Sequence, residues 1–289
     1  MQKIENSAAQ TREVTGFIDF MVTDGIFVWA TNQDRIQKFN TESYVPIAEI
    51  VVPSAAGIPA IGFGAIWAAS LSEQCIYKID CQTNEILAKV QTTFADQTGE
   101  FSLCASDTAI WWVSSEGCLS QMHPEQLNPR IATDVLMHSY NVCYAADAIW
   151  LTNTRHHSVQ RIDPKQQKVT HTISTAKKPW FLSGSKDFIF SLNQASASIS
   201  KIDAHNHIHL ADYPLPALAA GDGGDIYVTS DRVYVRTTHV LFIELDLEGN
   251  ILREIYAADG TGSGAVVSTN QHIWLTAHDV DRLWLLDKN

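Results

Sequence analysis

Seven times along this 289-residue chain a short alternating stretch closes on an apolar residue followed by Asp, Asn or His. IQKFN ends at Asn40, IYKID at Asp80, LSQMH at His123, VQRID at Asp163, ISKID at Asp203, FIELD at Asp246 and LWLLD at Asp287. The successive spacings are 40, 43, 40, 40, 43 and 41 residues. A second landmark keeps step with the first. GIF, AIW, AIW, AIW, FIF, RVY and HIW end at Phe27, Trp67, Trp111 (or Trp112), Trp150, Phe190, Tyr234 and Trp274, 12 or 13 residues earlier in each unit. A period of this length, with several short strands per unit, is that of a β-propeller, whose blades bury their faces only by stacking on one another.

The unit is clearest at Asp147–Ile173, DAIWLTNTRHHSVQRIDPKQQKVTHTI. Three alternating runs, Ala148–Asn153, Ser158–Asp163 and Lys168–Ile173, are separated by turn chemistry such as Asp-Pro. These runs are strands B, C and D of a blade. The innermost strand, A, precedes each aromatic landmark: Phe17–Val22, Ala60–Phe63, Phe101–Ala105, Tyr140–Ala145, Trp180–Ser183, Asp225–Thr229 and Ala265–Ser268. Strand D is expected at 45–51, 86–90, 131–135, 168–173, 207–212 and 251–256. Unit seven ends after C, so residues near Arg12–Gly16 are expected to supply its outer strand and close the ring. The expectation is an all-β fold, a single seven-bladed propeller domain over 1–289 with four-stranded antiparallel blades. The landmark aromatics should fill the space between blades, and the landmark Asp residues should start the C–D turns.

The repeat form, AIW-x-x-N followed by VxRID-P and a short D strand, resembles the blade consensus of virginiamycin B (streptogramin) lyase-like and YVTN-type propellers. The resemblance covers nearly the whole chain and implies seven blades. In the lyase, a metal-bound acid/base site is made by a His, a Glu-x-His pair about one blade later, and a Glu at the end of the following B strand. This chain has no Glu-x-His. Glu100 and Glu116 keep the spacing of 16, but Ser102 stands where the His would be, and Pro59 and Ala60 replace the first His. The lyase's metal ligands are therefore not carried over. No cofactor is expected, and a divalent metal would need other ligands, such as Glu100, Glu116 and Asp222.

Charge and cysteine usage bound the partners. The formal net charge is −12, which argues against nucleic acid and anionic membrane. No apolar run approaches the roughly 18 residues of a membrane span, and the N-terminus lacks the form of a signal peptide. Five cysteines without a CxxC pair read as reduced, small, buried hydrophobes in a cytoplasmic protein.

In a propeller the D–A and B–C connections share one face, around the channel mouth. The D–A segments bring Glu100, His138 with Tyr140 and Asn141, Lys177, Lys178 and Trp180, Asp222 in AAGDGG and Asp259 in ADGTGSG. The B–C segments bring Asp34, Arg35, Glu73, Glu116, Arg155 with His156 and His157, Arg236 with His239, and His278 with Asp279 and Asp281. His138 is the candidate general base and Tyr140 the candidate acid. The bland alternative is a histidine held by its own loop beside an aromatic lining the channel. Arg155, Lys178, Trp180, Asp222, Arg236, His239 and His278 are the candidate substrate-binding residues. His205, His207 and His209 alternate on one strand face, but at the outer rim, where a solvated edge or an adventitious metal site is expected. No nucleophile motif occurs.

Two functions follow. One is a small-molecule enzyme at the channel mouth, streptogramin-lyase-like in architecture, with a lyase, cyclase or isomerase type of acid/base step. The other is a non-catalytic propeller that presents loops to a protein partner. A pocket where His138 and Tyr140 converge favours the enzyme; a plugged mouth with an exposed apolar patch favours the scaffold.

Overall fold

The computed structural model describes residues 2–4, 9–256 and 262–288. Seven antiparallel sheets succeed one another along the chain, and each A strand packs on the A strand of the next blade, the seventh returning to the first. The ring is thus a closed seven-bladed propeller, and among the described residues helical structure is confined to single 3-10 turns such as Gln194–Ser196 and His278–Val280. Blade seven is completed by Ala9–Glu13, which runs antiparallel to Arg282–Asp287. That closing strand lies a few residues before the segment the sequence suggested, Arg12–Gly16. The extreme N-terminus adds something the repeat does not announce: Gln2–Lys3 pairs in parallel with the outer strand of blade six, Ile251–Tyr256.

Strand A departs most from expectation. In blade two it runs from Ala55 to Gly62 rather than over Ala60–Phe63, and Phe63 sits in the A–B turn at φ 58°. In blade three only Cys104–Ala105 pairs with strand B. There the Ser102 hydroxyl donates to the Val142 carbonyl and accepts from the Val142 N–H, joining blades three and four. A strand with one edge on a channel can exchange ladder bonds for such side-chain bridges.

The landmarks do the structural work expected of them. Trp67, Trp111, Trp112, Trp150 and Trp274 are fully buried. Asp80 accepts from the N–H groups of Gln82 and Thr83, and these bonds hold its carboxyl below the usual range. Asp163, Asp203 and Asp246 accept in the same manner from residues two to four further on. Blade one needs a correction. Its B–C hairpin closes on a two-residue turn, Asn32 opposite Arg35, so the aromatic in register is buried Trp29 rather than Phe27.

Register exposes a second repeat. Opposite Trp29, Trp67, Trp150 and Phe190 stand Lys38, Lys78, Arg161 and Lys201, two residues before the landmark that closes strand C. The three lysine ammonium groups reach the C–D turn of the next blade. Lys38 donates to the Cys81 carbonyl at 2.6 Å, Lys78 to Pro124 at 3.0 Å and Lys201 to Leu247 at 2.7 Å. Each also lies over aromatic rings of its own strand B, at 4.7 Å from Trp29, 5.3 Å from Trp67 and 5.9 Å from Phe190. In blade six the position is Glu244, which instead holds Arg253, and Arg253 reaches the Asp287 carbonyl of blade seven at 3.2 Å.

The rim histidines do not form one face. His207 has φ 58° and lies in the turn, because strand D begins only at Ile208. His205 pairs with Asp187 and His209 with Asp212, while His207 packs on His171 with centroids 4.3 Å apart.

If the buried lysines tie the blades together, Lys201→Met keeps the stem and removes the donor, leaving the Leu247 carbonyl without its partner. The expected cost is about 1–3 kcal/mol, or a melting temperature lower by roughly 2–6 °C. Exposed Lys186→Met is the matched control and should melt as the wild type does; equal melting of both variants would show that the contact contributes nothing.

Candidate functional site

The site is built from the D–A ends of blades four and five. His138 is the last residue before the A strand Ser139–Ala145 and has φ 70°. This left-handed turn lifts its ring out of the strand and over the mouth, where it is exposed. Its Nδ1 lies 3.3 Å from the Tyr140 hydroxyl, and its Nε2 lies 3.3 Å from an Arg155 guanidinium nitrogen. Arginine only donates, so Nε2 must accept, and in the neutral ring Nδ1–H then donates to Tyr140 Oη. The Tyr140 proton is left free for a ligand. Tyr140 stacks on Trp180 of blade five, centroids 5.3 Å apart and planes at 22°. Lys178 lies over the Trp180 ring at 5.4 Å and pairs with Asp222 at 2.5 Å.

Trp180 also spans the mouth. Its indole N–H donates to the Glu100 carbonyl at 2.9 Å, and the Asn141 amide donates to the same oxygen at 3.0 Å. These bonds fix the long D–A segment of blade three against blades four and five. They carry the Glu100 side chain inward, where Oε2 is shut off from solvent and has no hydrogen-bond partner among the described residues. Burial, with Asp19, Asp96, Asp225 and Asp222 adding like charge, raises this carboxyl to about 8. Asp225, at the start of the blade-six A strand, is also raised to about 8 by burial, against the opposing pull of the Val266 and Ile226 N–H groups that it accepts. Gly224 makes that placement possible. Its φ is +143°, and a Cβ there would lie 2.3 Å from the Arg236 carbonyl oxygen.

The other candidates are dispersed. His278 stacks on Phe17 at 4.0 Å, with Nδ1 3.4 Å from Asp19, on the blade-seven side of the mouth. Arg236 does not face the mouth. It is fully buried, donating to the carbonyls of Thr276, Thr237 and Gly262, and burial lowers it to about 10. It joins blades six and seven, so its part in substrate binding is withdrawn. His239 is exposed without a hydrogen bond among the described residues. Glu116 lies exposed on a B–C turn, 3.4 Å from Thr93, and Asp259 lies outside the described residues. No group of three His, Cys, Asp or Glu side chains among the described residues is placed to hold a metal ion.

Sequence reading did not single out Asp19 or Asp225. Both sit on A strands, which the period marks only as fold. The usable signal was a carboxylate on an innermost strand, where water is scarce.

No family model matches the chain, and no curated protein sequence does. Solved structures do. Virginiamycin B lyase from Staphylococcus aureus superposes with a TM-score of 0.79 at 14% identity, over 97% of this chain and 99% of that one. The RRP9 WD40 repeats superpose with 0.80 at 10% identity, over 99% of each chain. The Cps50 (Swd1) β-propeller domain of Myceliophteria thermophila gives 0.81 at 10% identity, over 98% and 99%. The likeness is one of fold. It extends equally to an enzyme and to WD40 repeats, so these similarities do not choose between the two functions.

The buried carboxyl makes a signed prediction. Between about pH 5 and pH 8 the folded protein keeps a proton on Glu100 that the unfolded chain has released. Stability therefore falls as pH rises through that window, on the order of 1 kcal/mol per pH unit. Asp225, raised to about 8 as well, adds a slope of the same sign; Glu100→Gln removes only the Glu100 share, so the variant should melt above wild type at pH 8.5 and approach it at pH 5. Parallel melting curves for the two proteins would mean that Glu100 is ionised in the folded state.

Proposed function

We propose that the chain is a small-molecule enzyme working at the D–A mouth by general acid–base chemistry of the lyase, cyclase or isomerase type. The observation that supports this reading is the Arg155–His138–Tyr140 chain beside Trp180 and the Glu100 carboxyl. Perturbed carboxyls next to convergent donors are arrangements that active sites use.

In an elimination, Arg155 turns from His138 to the substrate's carbonyl oxygen and polarises it. His138 Nε2, now free, takes the proton from the carbon beside that carbonyl. The electron pair forms the new C=C bond as the C–O bond breaks, and Tyr140 supplies its proton to the departing oxygen. The imidazolium then passes its Nδ1 proton to the phenolate, which returns both groups to neutrality. Lys178 steadies negative charge on the substrate, and Trp180 packs against its body. Cytoplasmic residence belongs to the same proposal, in keeping with five free cysteines.

One observation favours the scaffold reading: Phe17, Met137 and Leu218 are 47%, 70% and 51% exposed and all lie in D–A segments. An apolar rim of this kind suits a protein partner.

The test is a ring-opening assay on cyclic ester lactones, with quinupristin, the ligand in a solved complex of an inactive virginiamycin B lyase variant, as the first probe and mass spectrometry as the readout. Turnover of at least one lactone is expected. It should fall about 10²–10⁴-fold in His138→Ala and at least about 10²-fold in Tyr140→Phe. EDTA and His157→Ala should leave it unchanged. Absence of turnover across the panel, or variants with wild-type kinetics, would overturn the enzyme reading in favour of the scaffold.

A further inference from the structure

The central channel holds a cavity of about 260 Å³ that none of the mouth residues lines. Its wall comes from the central and C-terminal parts of the A strands. Ser102, Leu103, Val142 and Val266 lie deep and are buried, whereas Thr23, Ile61, Ala105, Tyr144 and Ser183, nearer the A–B turns, are part-exposed. The cavity therefore opens on the face opposite His138 and Tyr140. Its volume lies just below the usual range of ligand pockets, about 300–1,000 Å³, which suits a small ligand.

The chemistry of the wall is one-sided. It contains no Lys, Arg or His, and Asp225, only 5% exposed, is its sole carboxyl. The apolar part is supplied by residues such as Ile58, Leu103, Val142 and Leu182, with the rings of Tyr144 and Tyr227 beside them. The A–B turns around the opening carry Asp24, Asp107, Asp147, Asp187 and Asp231, all exposed, against one base, Lys186. Some of these carboxylates have partners of their own: Tyr144 donates to Asp107, His205 pairs with Asp187 and Arg232 with Asp231. The field at the opening still favours cations.

We propose that this channel is a second binding site, for a small primary alkylammonium ion that enters between the A–B turns and pairs with Asp225. Both Asp225 oxygens already accept a backbone N–H, from Ile226 and Val266, and a carboxylate has lone pairs left for an ammonium. The alkyl chain lies along the apolar wall, and the tyrosine rings add cation–π attraction.

Proton balance follows from the burial of Asp225. The titratable and charged groups facing Asp225 are Asp19, Glu100 and Tyr227, with Arg236 opposite it on the neighbouring strand. Burial keeps the unliganded Asp225 carboxyl protonated at pH 7. An arriving ammonium ion favours the carboxylate, so the carboxyl releases one proton to solvent as the ion pair forms. The thiols of Cys104 and Cys143 and the Tyr144 phenol are raised by burial and stay neutral throughout.

Isothermal titration of the full chain at pH 7 with n-butylamine, n-butanol and butyrate tests the proposal. Saturable one-to-one binding of butylamine is expected, with release of close to one proton when two buffers of different ionisation enthalpy are compared. Butanol should bind at least about tenfold more weakly, and butyrate should not bind. Asp225→Asn should weaken the amine at least about tenfold. Cys143→Phe, which fills the channel and spares the carboxyl, should do the same if the asparagine variant folds poorly. Tyr140→Phe should leave amine binding unaltered, which separates this site from the mouth. No saturable binding of butylamine, equal binding of butanol, or loss of the amine in Tyr140→Phe alone would overturn it.

Discussion

Lysines packed between blades, Lys38 and Lys201 buried and Lys78 half-buried, set the geometry on which everything else rests. Lys38, Lys78 and Lys201 each lie over an aromatic ring of their own blade and donate to a carbonyl of the next. A ring attracts the cation from below and a carbonyl takes its protons from the side, so a costly buried charge is compensated in a single geometry. Such contacts join blade one to two, two to three and five to six, and Arg253 on strand D makes the corresponding contact from blade six to seven. The Tyr44–His272 contact does the same between blades one and seven.

Burial among the A strands turns ordinary carboxyls into proton donors. Asp225 and Glu100 come from different blades and have no sequence relation, yet both are raised to about 8, with burial the leading cause for each. The two ends of the channel then differ in chemistry. At the D–A end, Arg155, Lys178, His138 and Tyr140 gather around Trp180, a surface suited to a carbonyl or carboxylate. At the A–B end, a ring of aspartates leads to an apolar cavity with a single acidic group, a surface suited to a cation. One scaffold thus presents opposite electrostatic preferences to its two faces, and the net charge of −12 hides the difference.

The fold was legible because its determinants are periodic. Landmark carboxylates, strand-B aromatics and turn residues recur in register, and a single blade such as Asp147–Ile173 carries the whole rule. Failures of reading came where periodicity stops. The shorter hairpin of blade one shifted the aromatic from Phe27 to Trp29, and the short A strand of blade three replaced ladder bonds with the Ser102 bridge. Mouth residues on blades four and five could be gathered because D–A and B–C connections share a face. Arg236 could not be separated from them by sequence, since a B-strand end that faces solvent and one that is covered by the next blade look alike. Asp19 and Asp225 were missed for the converse reason: their meaning comes from the burial that seven strands create together.

Both ends of the channel depend on the burial of these two carboxyls, and a carboxyl titration measures its effect directly. With ¹³C-labelled protein, side-chain carboxyl shifts followed from pH 4 to pH 9.5 should show two groups with midpoints close to 8. One should vanish in Glu100→Gln and the other in Asp225→Asn, while turn carboxylates such as Asp80, held below their ordinary range, show little change over this span. If every carboxyl in the protein titrates below about pH 5.5, Glu100 and Asp225 are ionised in the folded protein at neutral pH, and the chemistry assigned to both ends of the channel is wrong.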